Sequence, residues 1–153
     1  MFTEEMPPFE MEIIMATNIV DVEWKQGLTF DAHQQDRTYT IVSSVPGDGQ
    51  PEGISPKQML LTALAGCTGM DVASLLPKLR VPFTSLLVRV TGELTSDHPK
   101  VYSTMHVVYE IGTTEEFRSQ VEKAVDMSTT KYCGVSAMLE KASTITHEIV
   151  LLG

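Results

Sequence analysis

Cysteine is scarce in this chain: two residues, Cys67 and Cys133, among 153. A disulfide-stapled secreted scaffold is therefore excluded, and a chain of this length buries enough core to need no staples. Basic residues are few, eleven against twenty acidic ones, which gives a formal net charge of −9 and a pI near 4.8. No Lys/Arg cluster occurs. Nucleic acid and anionic membranes select a basic surface, so neither is an expected partner. The longest uncharged run around Cys67, Gln58 to Met70, is short of the roughly 20 residues that span a bilayer. Glu4, Glu5, Glu10 and Glu12 stand where a secretory leader carries Lys or Arg. A cytoplasmic protein is expected, and in that reducing compartment a lasting bridge is not; a bond between the two cysteines, if they pair, would be transient. Metal-ligand spacings are missing as well. There is no C-x-x-C and no H-x-x-x-H, and His33, His98, His106 and His147 are scattered, so no metal and no cofactor are expected. No G-x-S-x-G marks a serine hydrolase.

What is present reads as one globular domain. Apolar residues make up 42% and charged residues 20%, close to ordinary averages. Residues 1–17 read as a loose tail and 18–153 as the domain. "IVDVEW" (19–24), "LTFDAH" and "TYTIVSS" alternate like strands, with "KQG" as a turn, which predicts a meander. "VPGDGQPEG" (45–53) is a loop. Ser55, Pro56 and Gln58 then mark a helix start, and the pattern stays helical from Met59 to Leu76. That helix is apolar all round, which places it inside the protein or between subunits. Ala65, Gly69 and Ala73 form a small-residue stripe along it. Met59, Met70 and Met138 sit at positions that read as core.

"SLLVRVTGEL" (85–94) and "VYSTMHVVYEI" (101–111) read as strands closed into a hairpin by "TSDHPK". Thr113 and Glu116 predict a capping box before a helix with Phe117, Val121, Ala124 and Val125 on one face. "KYCGVSAMLEKA" (131–142) predicts another helix and "STITHEIVLL" (143–152) a closing strand. Runs of strands separated by helices define an α+β class.

The two thiols stand in different settings. Cys133 lies near a predicted helix N-terminus beside Lys131, and both features favour a thiolate. Cys67 lies about three turns into its helix, with Asp71 four residues on and on the same face. A carboxylate there opposes ionisation, so any activator of Cys67 must come from elsewhere. Free cysteines are mostly packing residues, and at this level inert filling stands beside reactivity.

"SPKQMLLTALAGCTGMDVASLL" resembles the central-helix signature of the OsmC/Ohr family, the osmotically inducible and organic-hydroperoxide-resistance proteins. "AVDMSTTKYCGVSAMLEKASTITHEIVLL" resembles its second-cysteine region, and "VEWKQGLTF" the opening hairpin of its OsmC-like, YhfA-type branch. The resemblance covers about residues 19 to 152. It implies an intertwined homodimer, with two antiparallel sheets wrapped around long central helices and active sites at the subunit interface. It implies thiol-dependent reduction of organic hydroperoxides, with Cys67 as the peroxidatic and Cys133 as the resolving cysteine. An external dithiol would be the reductant. The family's peroxidases pair the first cysteine with an arginine from an N-terminal loop and a glutamate early in the central helix. Here Lys57 occupies the glutamate position and "KQG" holds no arginine, which leaves Arg37, Glu52 and Lys57 as candidate activators. The alternative is a homodimer of the same fold that binds an apolar ligand or senses redox state without catalysis.

Overall fold

The computed structural model describes residues 17–43 and 52–153. The expected tail, apart from Thr17, and most of the 45–53 loop lie outside the described residues. The chain divides into two compact units, Met1–Pro56 and Lys57–Gly153.

The described part of the first unit is the meander that alternation predicts: β1 (Asp21–Gln26), β2 (Thr29–Gln34) and β3 (Arg37–Ile41), antiparallel in the order β1-β2-β3. Gly27, with φ +50, makes the turn after β1. The segment before the long helix returns along β3. Ile54 bridges Ile41, its N–H donating to the Thr40 carbonyl at 3.0 Å, and its carbonyl accepts from the Val42 N–H at 3.1 Å. Gly53 makes that approach possible, since a Cβ there would lie 2.7 Å from the Thr40 oxygen.

The second unit is built on α1 (Pro56–Lys78), which begins at the proline that marks a first helical position. Its buried residues are Leu64, Thr68, Val72, Leu75 and Leu76, one stripe at helical spacing. They share a core with Tyr102, Met105, Val107, Tyr109 and Ile111, every other residue along most of β5 (Tyr102–Ile111). β5 is the middle strand of the second sheet, between β4 (Leu86–Leu94) and β6 (Thr144–Leu151). Each fully buried Leu, Val or Ile of this core contributes roughly 1.5–3 kcal/mol by leaving water. The small-residue stripe has a definite partner at Gly69, where a Cβ would come within 3.3 Å of Val88 Cγ2 on β4.

By length and composition α1 would also cross a bilayer, because Asp71 is the only charge across a long apolar stretch. Its buried stripe is nevertheless part of the protein core.

Several expectations are corrected. The second sheet is not antiparallel throughout. β4 and β5 form an antiparallel hairpin, but β6 runs parallel to β5, because the chain crosses back through helices between them. Thr113 caps no helix; its hydroxyl donates to the Pro82 carbonyl at 2.6 Å. A short 3-10 turn, Glu115–Phe117, leads into α2 (Arg118–Met127), which buries Val121, Ala124 and Val125 as its stripe predicts. The segment expected as a helix over 131–142 is instead a π-helical turn, Ser128–Tyr132, followed by the short α3 (Gly134–Leu139). Met70 and Met138 are not core residues, being 75% and 66% exposed. On a helix apolar all round, periodicity cannot tell which face meets the sheet.

Candidate functional site

Cys67 is half-buried on α1, and Asp71 is half-buried one turn further on. Cys133 is 3% exposed and is the N-cap of α3, where its Sγ accepts the Ser136 N–H at 3.3 Å. The π-helical turn places it: the Cys133 N–H donates to the Ser128 carbonyl at 2.8 Å, closing that turn. The result brings together two residues 66 positions apart. The sulfurs of Cys67 and Cys133 and a carboxylate oxygen of Asp71 all lie within 4.8 Å of one another.

A buried hydrogen-bonded chain supports this cluster. The Ser128 hydroxyl donates to Asp71 Oδ2 at 2.9 Å. Thr68 Oγ1 lies 2.9 Å from Ser128 Oγ and 2.7 Å from the Tyr109 hydroxyl. Each hydroxyl has one proton. Ser128 gives its proton to the carboxylate, so Thr68 must donate to Ser128 and Tyr109 to Thr68. Every proton in the chain therefore points toward Asp71. At the far end the Tyr109 oxygen lies 3.5 Å from His147 Nδ1, with the two rings stacked at 6.1 Å.

Burial dominates the electrostatics. It pushes the Cys133 thiol up to about 11, against the pull of the Ser136 N–H; the hydrogen bond with Cys67 and the charges of Cys67 and Asp71 add to the rise. Burial also pushes the Tyr109 hydroxyl up to about 12, opposed by its hydrogen bond with Thr68. Loss of hydration lowers His147 below the usual histidine range, and the nearby charge of His106 lowers it further. The helix-terminus argument for an acidic Cys133 is thus outweighed by desolvation. Lys131, expected beside that thiol, lies over the Tyr132 ring at 5.1 Å from its centroid.

The other candidate residues are placed as follows. Lys57 is exposed in the first turn of α1. Ten residues of helix put it about 15 Å along the axis from Cys67 of the same chain. Arg37 and Glu52 belong to the first unit and are exposed. Arg37 approaches Asp36 at 3.9 Å. Sequence reading missed Thr68, Ser128 and Tyr109. Only Thr68, next to Cys67 on the buried stripe, carried a signal. Two cavities flank the cluster. One of about 310 Å³ is lined by Asp71, Leu75, Lys78, Leu79, Met127 and Tyr132, among others. Another of about 320 Å³ reaches Cys133 and is also lined by Tyr132.

A central helix carrying one thiol and a short last helix presenting a second, in an α+β frame with two three-stranded sheets, define a class of paired-cysteine proteins. The chain belongs to the OsmC family: the family described as OsmC-like protein matches residues 47–148. Protein YhfA of Escherichia coli (strain K12) is 34% identical over 126 residues, spanning 82% of this chain and 92% of that protein. The crystal structure of a hypothetical protein from Aquifex aeolicus VF5 superposes with a TM-score of 0.75 at 27% identity, covering 91% of this chain and 100% of that one. The organic hydroperoxide resistance protein OhrB of Bacillus subtilis shares the fold, with a TM-score of 0.64 at 15% identity over 88% of this chain and 98% of its own.

Proposed function

We propose that the protein is a thiol-dependent peroxidase that reduces organic hydroperoxides. The observation that carries this reading is the meeting of the Cys67 and Cys133 sulfurs within 4.8 Å in the reduced protein. A disulfide needs about 2.05 Å between them, so the sulfurs have less than about 3 Å to close. The Cys67 thiolate attacks the distal peroxide oxygen. The O–O bond breaks, an alcohol leaves after taking up a proton, and Cys67 becomes a sulfenic acid. Cys133, which keeps its proton in the resting state, condenses with that sulfenic acid and releases water. An external dithiol then reduces the disulfide and is itself oxidised. The cavity beside Asp71, with Leu75, Leu79 and Met127 in its wall, suits the apolar group of an alkyl hydroperoxide.

The same reading assigns a homodimer in the cytoplasm. In the single chain α1 leaves Leu60 and Met70 exposed, at 45% and 75%, on a helix otherwise almost free of charge. A second copy would cover such residues. Arg37, Glu52 and Lys57 are the groups to screen as activators of Cys67, from either subunit.

The test is peroxide consumption with a dithiol. Wild type turns over, Cys67→Ser is inactive, and Cys133→Ser reduces one equivalent per site and stops. A wild type that consumes no organic hydroperoxide with any dithiol rejects the reading. The competing reading, a ligand-binding or redox-sensing homodimer, draws on the high proton affinity of Cys133. In its ligand-binding form it requires Cys67 to react with peroxide no faster than free cysteine; in its redox-sensing form it keeps the thiol chemistry and requires a partner that takes the disulfide.

A further inference from the structure

Cys67, Asp71 and Cys133 place three ligand atoms within 4.8 Å of one another, and each of them carries negative charge when ionised. Among the described residues no Lys, Arg or His forms an ion pair with Asp71. We infer that the reduced site binds one thiophilic divalent cation, of which Zn²⁺ is the fitting example, through both sulfurs and the Asp71 carboxylate. This does not depend on peroxidase activity.

Ligand chemistry selects the ion. Two thiolates and one carboxylate favour zinc over magnesium or calcium, whose preferred donors are oxygens. Geometry is close to what zinc requires. Zinc–sulfur bonds of about 2.3 Å in a tetrahedral site set the sulfurs about 3.8 Å apart, and a zinc–oxygen bond of about 2.0 Å sets each sulfur about 3.5 Å from the oxygen, so the present atoms need draw in by roughly 1.3 Å at most. The supporting shell is already in place. The Ser128 hydroxyl holds Asp71 Oδ2 at 2.9 Å, as ligating carboxylates are commonly held. The Ser136 N–H donates to Cys133 Sγ at 3.3 Å, stabilising charge on that sulfur. The cavities at Asp71 and at Cys133 provide a way in for the ion and room for water in a fourth position.

Both sulfurs bind the cation as thiolates, any proton they carry goes to solvent, and three anionic ligands on a dication leave a net charge of −1. The cation supplies a positive charge in direct contact with Asp71, which no described Lys, Arg or His does, and so turns an unfavourable carboxylate–thiol grouping into a favourable one.

Sequence spacing concealed the site. Cys67 and Asp71 are one helical turn apart, and the third ligand comes from 62 residues further along, so no metal motif is visible.

The test is titration of the reduced full-length protein with Co²⁺ under anaerobic conditions, followed by displacement with Zn²⁺. Expected is one Co²⁺ per chain, with a near-ultraviolet thiolate-to-cobalt band and intense visible bands of a tetrahedral ion. Cys133→Ser is expected to lose about half of the near-ultraviolet band. Asp71→Asn keeps an oxygen for Ser128 to donate to. It is expected to retain the fold by circular dichroism and to bind at least tenfold more weakly. The inference is overturned if wild type shows no thiolate band, if Cys133→Ser keeps the full band, or if Asp71→Asn binds as tightly as wild type.

Discussion

Cys67 and Cys133 are chemically identical residues in opposite circumstances. Cys67 sits mid-helix, where the backbone offers its sulfur nothing, yet it stays half-buried at the edge of the core. Cys133 sits at a helix start and accepts a backbone N–H, the arrangement that lowers thiol pKa values in many redox proteins. Its thiol is nonetheless raised to about 11, because it is almost wholly removed from water. A local hydrogen bond recovers only part of the hydration that a charged sulfur loses on burial. The residue that looks activated from its neighbours in sequence is the one that holds its proton.

The comparison breaks most readily through reactivity. In a Cys67→Ser variant, Cys133 is expected to alkylate roughly ten- to a hundredfold more slowly than a free cysteine at pH 7, since burial, the largest cause of its raised pKa, remains when the smaller contributions of Cys67 are gone. Maleimide labelling followed by mass spectrometry checks it. Labelling at the free-cysteine rate would mean that burial does not govern this thiol.

Tyr109 tests the same desolvation independently. Its folded pKa of about 12 exceeds the unfolded value near 10, so between those values the native state binds more protons than the unfolded one. The stabilisation is fully present below pH 10 and is lost as pH rises toward 12, by roughly 2–3 kcal/mol in all. Denaturant unfolding from pH 9 to 12 measures that decline, and Tyr109→Phe should flatten it.

A smaller effect sharpens the contrast from the Cys67 side. Asp71→Asn removes a negative charge beside both sulfurs and should quicken the reaction of Cys67 with peroxide or maleimide about three- to tenfold, by relieving charge repulsion at the attacking sulfur. Stopped-flow rates decide it, and a slower variant would show that the carboxylate assists the thiol.

Much of the fold was legible. Alternation, Val- and Leu-rich runs and turn residues marked the six described strands, and Ser55-Pro56 marked the start of α1, because pleat and helix periods are local properties. The π-helical turn was not legible. "MSTT" reads as an interruption, and only the Ser128 carbonyl meeting the Cys133 N–H reveals a turn wound to present a thiol. The exposed Met70 and Met138 were misread for a related reason: a methionine fills either face of a helix equally well. The parallel pairing of β6 was hidden because pairing direction depends on the route of the chain across the sheet.

The sequence by itself determined the described strands and the long helix, that one thiol stands on that helix and the other near a later helix start, and that Asp71 shares a face with Cys67. The tertiary structure alone decided that Cys133 reaches that face, that Ser128, Thr68 and Tyr109 aim their protons at Asp71, and that burial outweighs the helix terminus at Cys133. Periodicity and spacing act along the chain, whereas hydration and the meeting of distant side chains depend on what folding brings together in space.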